Sequence, residues 1–221
     1  MDLSFIIPIH NQKKDIVHLC DALEHIAKNI SLKCEILLCD DASRDGSVEM
    51  IRNISFRQPI VKGIFHRKHE GFGKTFRDLL KESQGTIVVY LDAGLPFDLN
   101  NFSAILAKIR DSDILVASRF VSFDDSRNIK LGPASLMYRF LCTAFLNSNI
   151  KDVESAMVFL RREKILSLDL KAKEKAILPE IYTAGLQKNL LIKEVPVNLR
   201  FKRQFSYPKV GLRDFIDILC I

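Results

Sequence analysis

Short apolar runs alternate with longer amphipathic stretches along the first half of the chain, and this rhythm predicts its elements. Leu3–Ile9 (LSFIIPI) is apolar without alternation, as in a strand covered on both faces, with Pro8 near its end where a lost N–H costs little. Through Lys13–Asn29, the residues Ile16, Leu19, Cys20, Leu23 and Ile26 recur at helical spacing. A second buried strand at 34–39 (CEILLC) runs into an acidic, small-residue loop at 40–46, where Ser43 or Asp45 is placed to cap a helix beginning near Ser47. A weaker strand at 60–65, a helix with a glycine-led start at 71–83 and a fourth strand at 86–91 follow. Asp98 is placed to cap a helix over 99–110, and 113–117 (DILVA) reads as a fifth strand. Strands alternating with helices in this way predict an α/β fold, a doubly wound and mostly parallel sheet with helices on both faces.

The stretch 85–98, GTIVVYLDAGLPFD, organises the rest. Its β-branched and aliphatic strand ends on Asp92, and ligands of open α/β sheets sit beyond the carboxyl ends of the strands. A turn-capping role explains an aspartate there equally well.

After Arg119 the rhythm changes. Residues 121–132 are polar, 133–147 form an apolar helix with Pro133 in its first turn, and 156–160 form a short strand. A helix at 178–187 and a long strand at 190–201, broken at Pro196, complete a C-terminal β-α-β extension. The last stretch, 209–221, is an amphipathic helix with Val210, Leu212, Phe215, Ile216 and Leu219 opposite Arg213, Asp214 and Asp217.

Composition narrows the class. Of 221 residues, 48% are hydrophobic, enough for a substantial core and against disorder. No run approaches the length of a spanning helix, and the N-terminus passes into a strand without a basic-then-apolar signal region. Five cysteines without a C-x-x-C pair or zinc spacing read as reduced, mostly buried thiols of a cytoplasmic chain. Residues 1–118 carry a net charge of −1 and 119–221 a net +7, so the second half favours an anionic partner.

Three constellations carry candidate chemistry. Gly71-Phe72-Gly73-Lys74-Thr75 ends like a phosphate-binding P-loop, but Lys68 occupies the place of its first glycine, and the run follows the third strand rather than the first. A glycine-rich helix start that meets a diphosphate, or that packs closely, remains. His66 and His69 are three apart beside Arg67 and Lys68, a poor metal spacing, and read as solvent-exposed. More informative are Asp40 and Asp41 after the second strand, Asp92 after the fourth and Arg119 after the fifth. In a wound sheet these ends share one crevice, a set suited to a phosphorylated ligand with or without a divalent cation.

In order along the chain, the segments PIHNQ at 8–12, LCDDASRDG at 38–46, EGFGK at 70–74, LDAG at 91–94, ASRF at 117–120, DVESAMVFLRRE at 152–163 and EVPV at 194–197 resemble motifs of the family-2 glycosyltransferases of GT-A fold. Within them the likeness is to the dolichyl-phosphate mannose synthase and polyprenyl-phosphate hexose transferase branch. It covers nearly the whole chain and implies an inverting transfer of a hexose from a GDP- or UDP-sugar to a polyprenyl phosphate. On this likeness 1–208 is a glycosyltransferase domain, with 1–118 its nucleotide half and 119–208 its acceptor half.

By family role, Pro8, His10, Asn11, Gln12, Asp40, Asp41, Gly71, Lys74, Asp92 and Ala93 hold the nucleotide. Asp92 meets the diphosphate through Mg²⁺ or Mn²⁺. Arg119 binds the acceptor phosphate with Ser135 and Arg127 or Lys130, and Asp152 or Glu154 lies under the sugar. The chain departs from the pattern at the second aspartate of the metal motif, which is Gly94, at Pro96, at Gln12 and at the family glycines replaced by Ala42 and Ala156. Weakened, substrate-shared or absent metal binding follows from the first of these. A non-catalytic nucleotide-sugar- or partner-binding relative is the rival reading. The basic, aromatic stretch 201–207 before the amphipathic helix implies peripheral contact with the cytoplasmic face of a membrane. Nucleic acid is not an expected partner, since basic residues elsewhere are not interleaved with aromatics.

Overall fold

The computed structural model describes residues 1–121, 133–146 and 150–198. Seven strands form one sheet in the order β3-β2-β1-β4-β6-β5-β7. They are β1 (Leu3–Ile9), β2 (Cys34–Asp40), β3 (Val61–Phe65), β4 (Ile87–Leu91), β5 (Ile114–Ser118), β6 (Met157–Arg161) and β7 (Ile192–Pro196). The helices are α1 (Lys13–Asn29), α2 (Ser47–Arg57), α3 (Phe72–Glu82), α4 (Phe102–Ala107), α5 (Pro133–Leu146), α6 (Arg162–Leu166) and α7 (Ile177–Gln187). Both the α/β class and the doubly wound, mostly parallel sheet are as the pattern predicts. The helix expected over 99–110 begins only at Phe102, because Asp98 accepts the Asn100 N–H in a local turn, and it tightens into a 3-10 turn at Lys108–Asp111.

The lack of alternation in β1 is explained by a core on each side. Leu3, Phe5, Ile7 and Ile9 pack with the apolar faces of α1, α2 and α4. Ile6 faces the opposite layer, with Phe76, Leu79 and Leu80 of α3 and Ile177 and Ile181 of α7. Phe102 bridges Phe5 and Phe159, with ring centroids 5.5 Å from each, and so locks α4 onto β1 and β6. Pro8 is tolerated because the β1–β4 ladder has already ended at Ile6.

One strand runs against the others. β6 is inserted antiparallel between β4 and β5, and β7 then adds parallel to β5. The strands of the extension are therefore split across β5 instead of lying side by side. Strand direction is set by the connection and leaves no mark in the residue pattern.

The chain winds in one direction from β1 to β2 and β3, and in the other through β4. The switch point lies between β1 and β4, where a crevice opens at the carboxyl ends of parallel strands.

Candidate active site

The loops at this crevice are fixed by the backbone. Asp41 N–H donates to the Ile9 carbonyl at 2.8 Å, joining the ends of β1 and β2, and His66 N–H donates to the Asp40 carbonyl at 2.9 Å, joining β2 and β3. Asp92 N–H donates to the Ala156 carbonyl at 3.0 Å, joining β4 to the approach to β6. Asn11, held at φ 53°, adds a side-chain tie: its N–H donates to Ser43 Oγ and its Oδ1 accepts the Arg44 N–H, both at 2.8 Å. Ala42, where the family has glycine, sits at φ 57°. The position demands the left-handed backbone that glycine adopts without strain.

A cleft of about 310 Å³ opens here, lined by Pro8, Ile9, His10, Gln12, Asp41, His69, Phe72, Thr75, Tyr90, Asp92, Glu174 and Lys175. It brings together Pro8, His10, Gln12, Asp41 and Asp92 of the expected nucleotide set. Asp40 is buried beside it, its Oδ1 accepting the Ser43 N–H at 2.9 Å, while its buried Oδ2 has no hydrogen-bond partner among the described residues.

Asp41 is the most heavily engaged carboxylate of the cleft. Its Oδ1 accepts the Glu70 N–H and meets His66 Nδ1, both at 2.8 Å; its Oδ2 accepts the Gly71 N–H at 2.9 Å and meets His69 Nδ1 at 2.8 Å. Burial pushes the Asp41 carboxyl up. The Glu70 N–H, His66, the Gly71 N–H and His69 more than offset that, and hold it below its ordinary value. His66 continues through its other nitrogen to Asp78 Oδ2 at 3.1 Å, and its side chain is only 11% exposed. The expectation of a solvent-exposed His66 is thus corrected: two carboxylates draw the ring inward. His69 is 52% exposed but is directed onto Asp41.

Asp92 differs. Its Oδ1 accepts the Gly94 N–H at 2.9 Å, closing a short turn, and Gly94 brings no second ligand. Behind it, the Tyr90 hydroxyl is pushed well above its usual range by burial, and further by Asp92 and Tyr182, against the opposing charge of Arg119.

Arg119 and Asp152 are brought together, and neither lines the cleft. Arg119 Nε donates to Asp152 Oδ2 at 2.8 Å and Nη2 to Oδ1 at 2.6 Å, a two-pronged pair whose side chains are 2% and 1% exposed. Arg119 N–H also reaches Asp152 Oδ2 at 2.9 Å, and Nη2 reaches the Glu154 carbonyl at 2.9 Å. Glu194 of the EVPV strand accepts the N–H groups of Lys151 and Asp152 at 2.9 and 3.0 Å, which fixes the loop that presents this pair.

The P-loop-like turn has a packing explanation. Gly73 N–H donates to the Lys173 carbonyl at 2.7 Å, and a Cβ on Gly73 would stand 2.1 Å from the Ala172 carbonyl oxygen. The glycine admits the 171–175 loop, which Glu180 fixes by accepting the Lys171 and Ala172 N–H groups. Lys74 pairs one turn on with Asp78. Ala93 is buried. Arg127 and Lys130 lie outside the described residues; Ser135 falls in the first turn of α5, its side chain outside them too. Glu174 and Lys175 also line the cleft, and no motif along the chain marks them.

Comparisons with known proteins give the family and the fold. The chain is 22% identical over 210 residues to a dolichyl-phosphate beta-glucosyltransferase of Trichomonas vaginalis, covering 88% of this chain and 62% of that protein. Over 95 residues it is 30% identical to an undecaprenyl-phosphate 4-deoxy-4-formamido-L-arabinose transferase of Pseudomonas savastanoi pv. phaseolicola, covering 42% of this chain and 28% of that one. The chain thus spans less than two thirds of the length of either relative. Among solved structures, glucosyl-3-phosphoglycerate synthase from Mycobacterium tuberculosis in complex with uridine diphosphate superposes with a TM-score of 0.73 at 16% identity, over 99% of this chain and 79% of that one. A mannosyltransferase from Pyrobaculum calidifontis in complex with GDP-Man and Mn²⁺ superposes with a TM-score of 0.58 at 15% identity, over 88% and 54%. The sequence model of glycosyl transferase family 2 matches residues 4–168, and the chain belongs to that family.

Proposed function

We propose that the chain transfers a hexose from a GDP- or UDP-sugar to a polyprenyl or dolichyl phosphate with inversion. The observation that carries this reading is the convergence of His10, Asp41 and Asp92, from the ends of three neighbouring strands, on one cleft at the switch point of the sheet. Names of the curated relatives supply the acceptor class, and Lys175 supplies a positive charge at the cleft wall.

In this reading Pro8, His10, Asn11, Gln12, Asp40 and Asp41 shape the nucleoside end of the cleft, with Gly71, Lys74 and Ala93 holding its walls. Asp92 faces the diphosphate. A Mg²⁺ or Mn²⁺ ion bound through Asp92 would have a single protein carboxylate, with substrate phosphates and water as its other ligands, a pattern Mg²⁺ commonly adopts. When bound it supplies positive charge to the departing diphosphate.

The acceptor phosphate oxygen attacks the anomeric carbon as the bond from that carbon to the diphosphate oxygen breaks. The electron pair leaves with the nucleoside diphosphate, and the sugar carbon inverts. The phosphate is already ionised near neutral pH, so no strong general base is required. Asp152 acts through Arg119: the buried pair positions the Glu154 loop and the floor behind Tyr90. Arg127, Lys130 and Ser135 remain the proposed acceptor-phosphate contacts; Arg119, expected among them, is instead held on Asp152 and supports that side of the site. The segment 201–221 is the proposed contact with the cytoplasmic face of a membrane; no helix among the described residues is long and apolar enough to cross one.

Gly94 favours the second reading, a relative that binds the nucleotide sugar without turnover. Thermal stabilisation by GDP and UDP, each with and without Mn²⁺, followed by transfer of labelled sugar to dolichyl phosphate, separates the two. Stabilisation by one nucleotide with label in the lipid phase supports the enzyme. Stabilisation without transfer supports the binding relative, and no response to either nucleotide contradicts both.

A further inference from the structure

We propose that His10, Asp41 and His69 form a binding site for a late first-row divalent cation such as Zn²⁺, built from protein ligands alone and distinct from Asp92. Each of the three offers one ligand atom, and these atoms all lie within 4.8 Å of one another. The two imidazole rings face each other with centroids 4.6 Å apart and planes inclined by 41°.

The supporting contacts are those a metal site needs. His10 Nδ1 lies 2.8 Å from the Asp41 carbonyl oxygen, which can only accept, so the proton is on Nδ1 and the lone pair on Nε2. Asn11 agrees on the tautomer: its Oδ1 accepts the Arg44 N–H, so its amide nitrogen donates to His10 Nε2 at 3.0 Å, a contact that a bound cation would displace. A backbone carbonyl that fixes the tautomer and angle of an imidazole is the usual outer support of a metal-bound histidine. Asp41 is held in place by the Glu70 and Gly71 N–H groups and by His66. Its Oδ2 now faces His69 Nδ1 at 2.8 Å, and a cation takes the place of the proton that the pair shares. His66 is not a ligand: it is largely buried between the Asp41 and Asp78 carboxylates, whereas His10 and His69 are exposed.

Ligand distances decide how much must move. Zinc at about 2.1 Å from each donor puts tetrahedral ligands about 3.4 Å apart, so the cluster contracts by an ångström or so. His69, half exposed, is the member that can turn, while Asp41 and the His10 ring are held by their hydrogen bonds. Two imidazoles and one carboxylate favour Zn²⁺, Co²⁺ or Ni²⁺ over Mg²⁺ or Ca²⁺, and leave a position open to water or a phosphate oxygen. None of this depends on the glycosyl-transfer reading.

The test is calorimetric titration of the full chain with Zn²⁺, without nucleotide and with any affinity tag removed. One Zn²⁺ per chain is expected, with binding weakened at least about tenfold by His10→Ala and by His69→Ala and within twofold of the parent for Asp92→Asn. Melting temperatures verify folding, and His10→Gln or His69→Gln replaces an alanine variant that fails to fold. Absence of Zn²⁺ binding, binding in both histidine variants as tight as in the parent, or a loss on Asp92→Asn as large as theirs overturns the site.

Discussion

Asp41 and Asp92 stand on either side of β1, at the ends of β2 and β4, and face the same cleft, yet they are built in opposite ways. Asp41 is buried, met by two backbone N–H groups and two imidazoles. Asp92 closes a single turn onto Gly94, where, among the described residues, an added Cβ would meet only Asp92 Oδ1, at 3.4 Å. The lesson is that two carboxylates at equivalent strand ends can divide the work. On the proposals above, one belongs to a cluster of protein ligands and the other would be completed by a substrate phosphate.

Asp152 extends the comparison to a third, more deeply embedded carboxylate, and it carries the largest expected effect. Asp152→Ala leaves Arg119 buried without its partner and should lower stability by about 3–5 kcal/mol, read from the denaturant midpoint at constant slope. Asp41→Ala, which strands two backbone N–H groups but leaves His69 able to turn to solvent and His66 still paired with Asp78, should lose about 2–3 kcal/mol. An equal loss for Asp92→Ala would break the comparison; about 0.5 kcal/mol or less is expected there.

The glycines repeat the contrast. Gly73→Ala forces a methyl against the Ala172 carbonyl and should lower stability by about 1–3 kcal/mol, whereas Gly94→Ala should be tolerated. Gly94→Asp sharpens the point, since it restores a second carboxylate where there is room for one. It should give Mn²⁺ binding without nucleotide, which calorimetry detects and the parent should lack at that position.

A smaller effect is expected at the opposite end of β2. Burial raises the Glu35 carboxyl, but Lys62, Ser4 Oγ and the Gln84 N–H together bring it below its ordinary value. Its contribution to stability is therefore full above the ordinary carboxylate value and is lost as pH falls through the lower folded one. Glu35→Gln should flatten the acid limb of the stability profile, and an unchanged limb would remove Glu35 from that role.

Much of this was legible in the sequence. Strand β1 and helix α1 follow from uninterrupted apolar runs and strict helical spacing, and their observed limits agree with the pattern. The loops holding Asp41 and Asp92 follow from carboxylates placed just after such runs. Hidden were features that depend on distant partners. The direction of β6 is set by its connection, and Glu174 and Lys175 reach the cleft only because Glu180 and Gly73 seat their loop. His10, Asp41 and His69 lie after three different strands, so no spacing along the chain joins them; only the sheet order β3-β2-β1 does.

The most direct test of this division is anomalous diffraction at the zinc edge from crystals soaked in Zn²⁺ without nucleotide. The account predicts a peak between His10, Asp41 and His69 and none at Asp92. A peak at Asp92, with the histidine cluster empty, would contradict it.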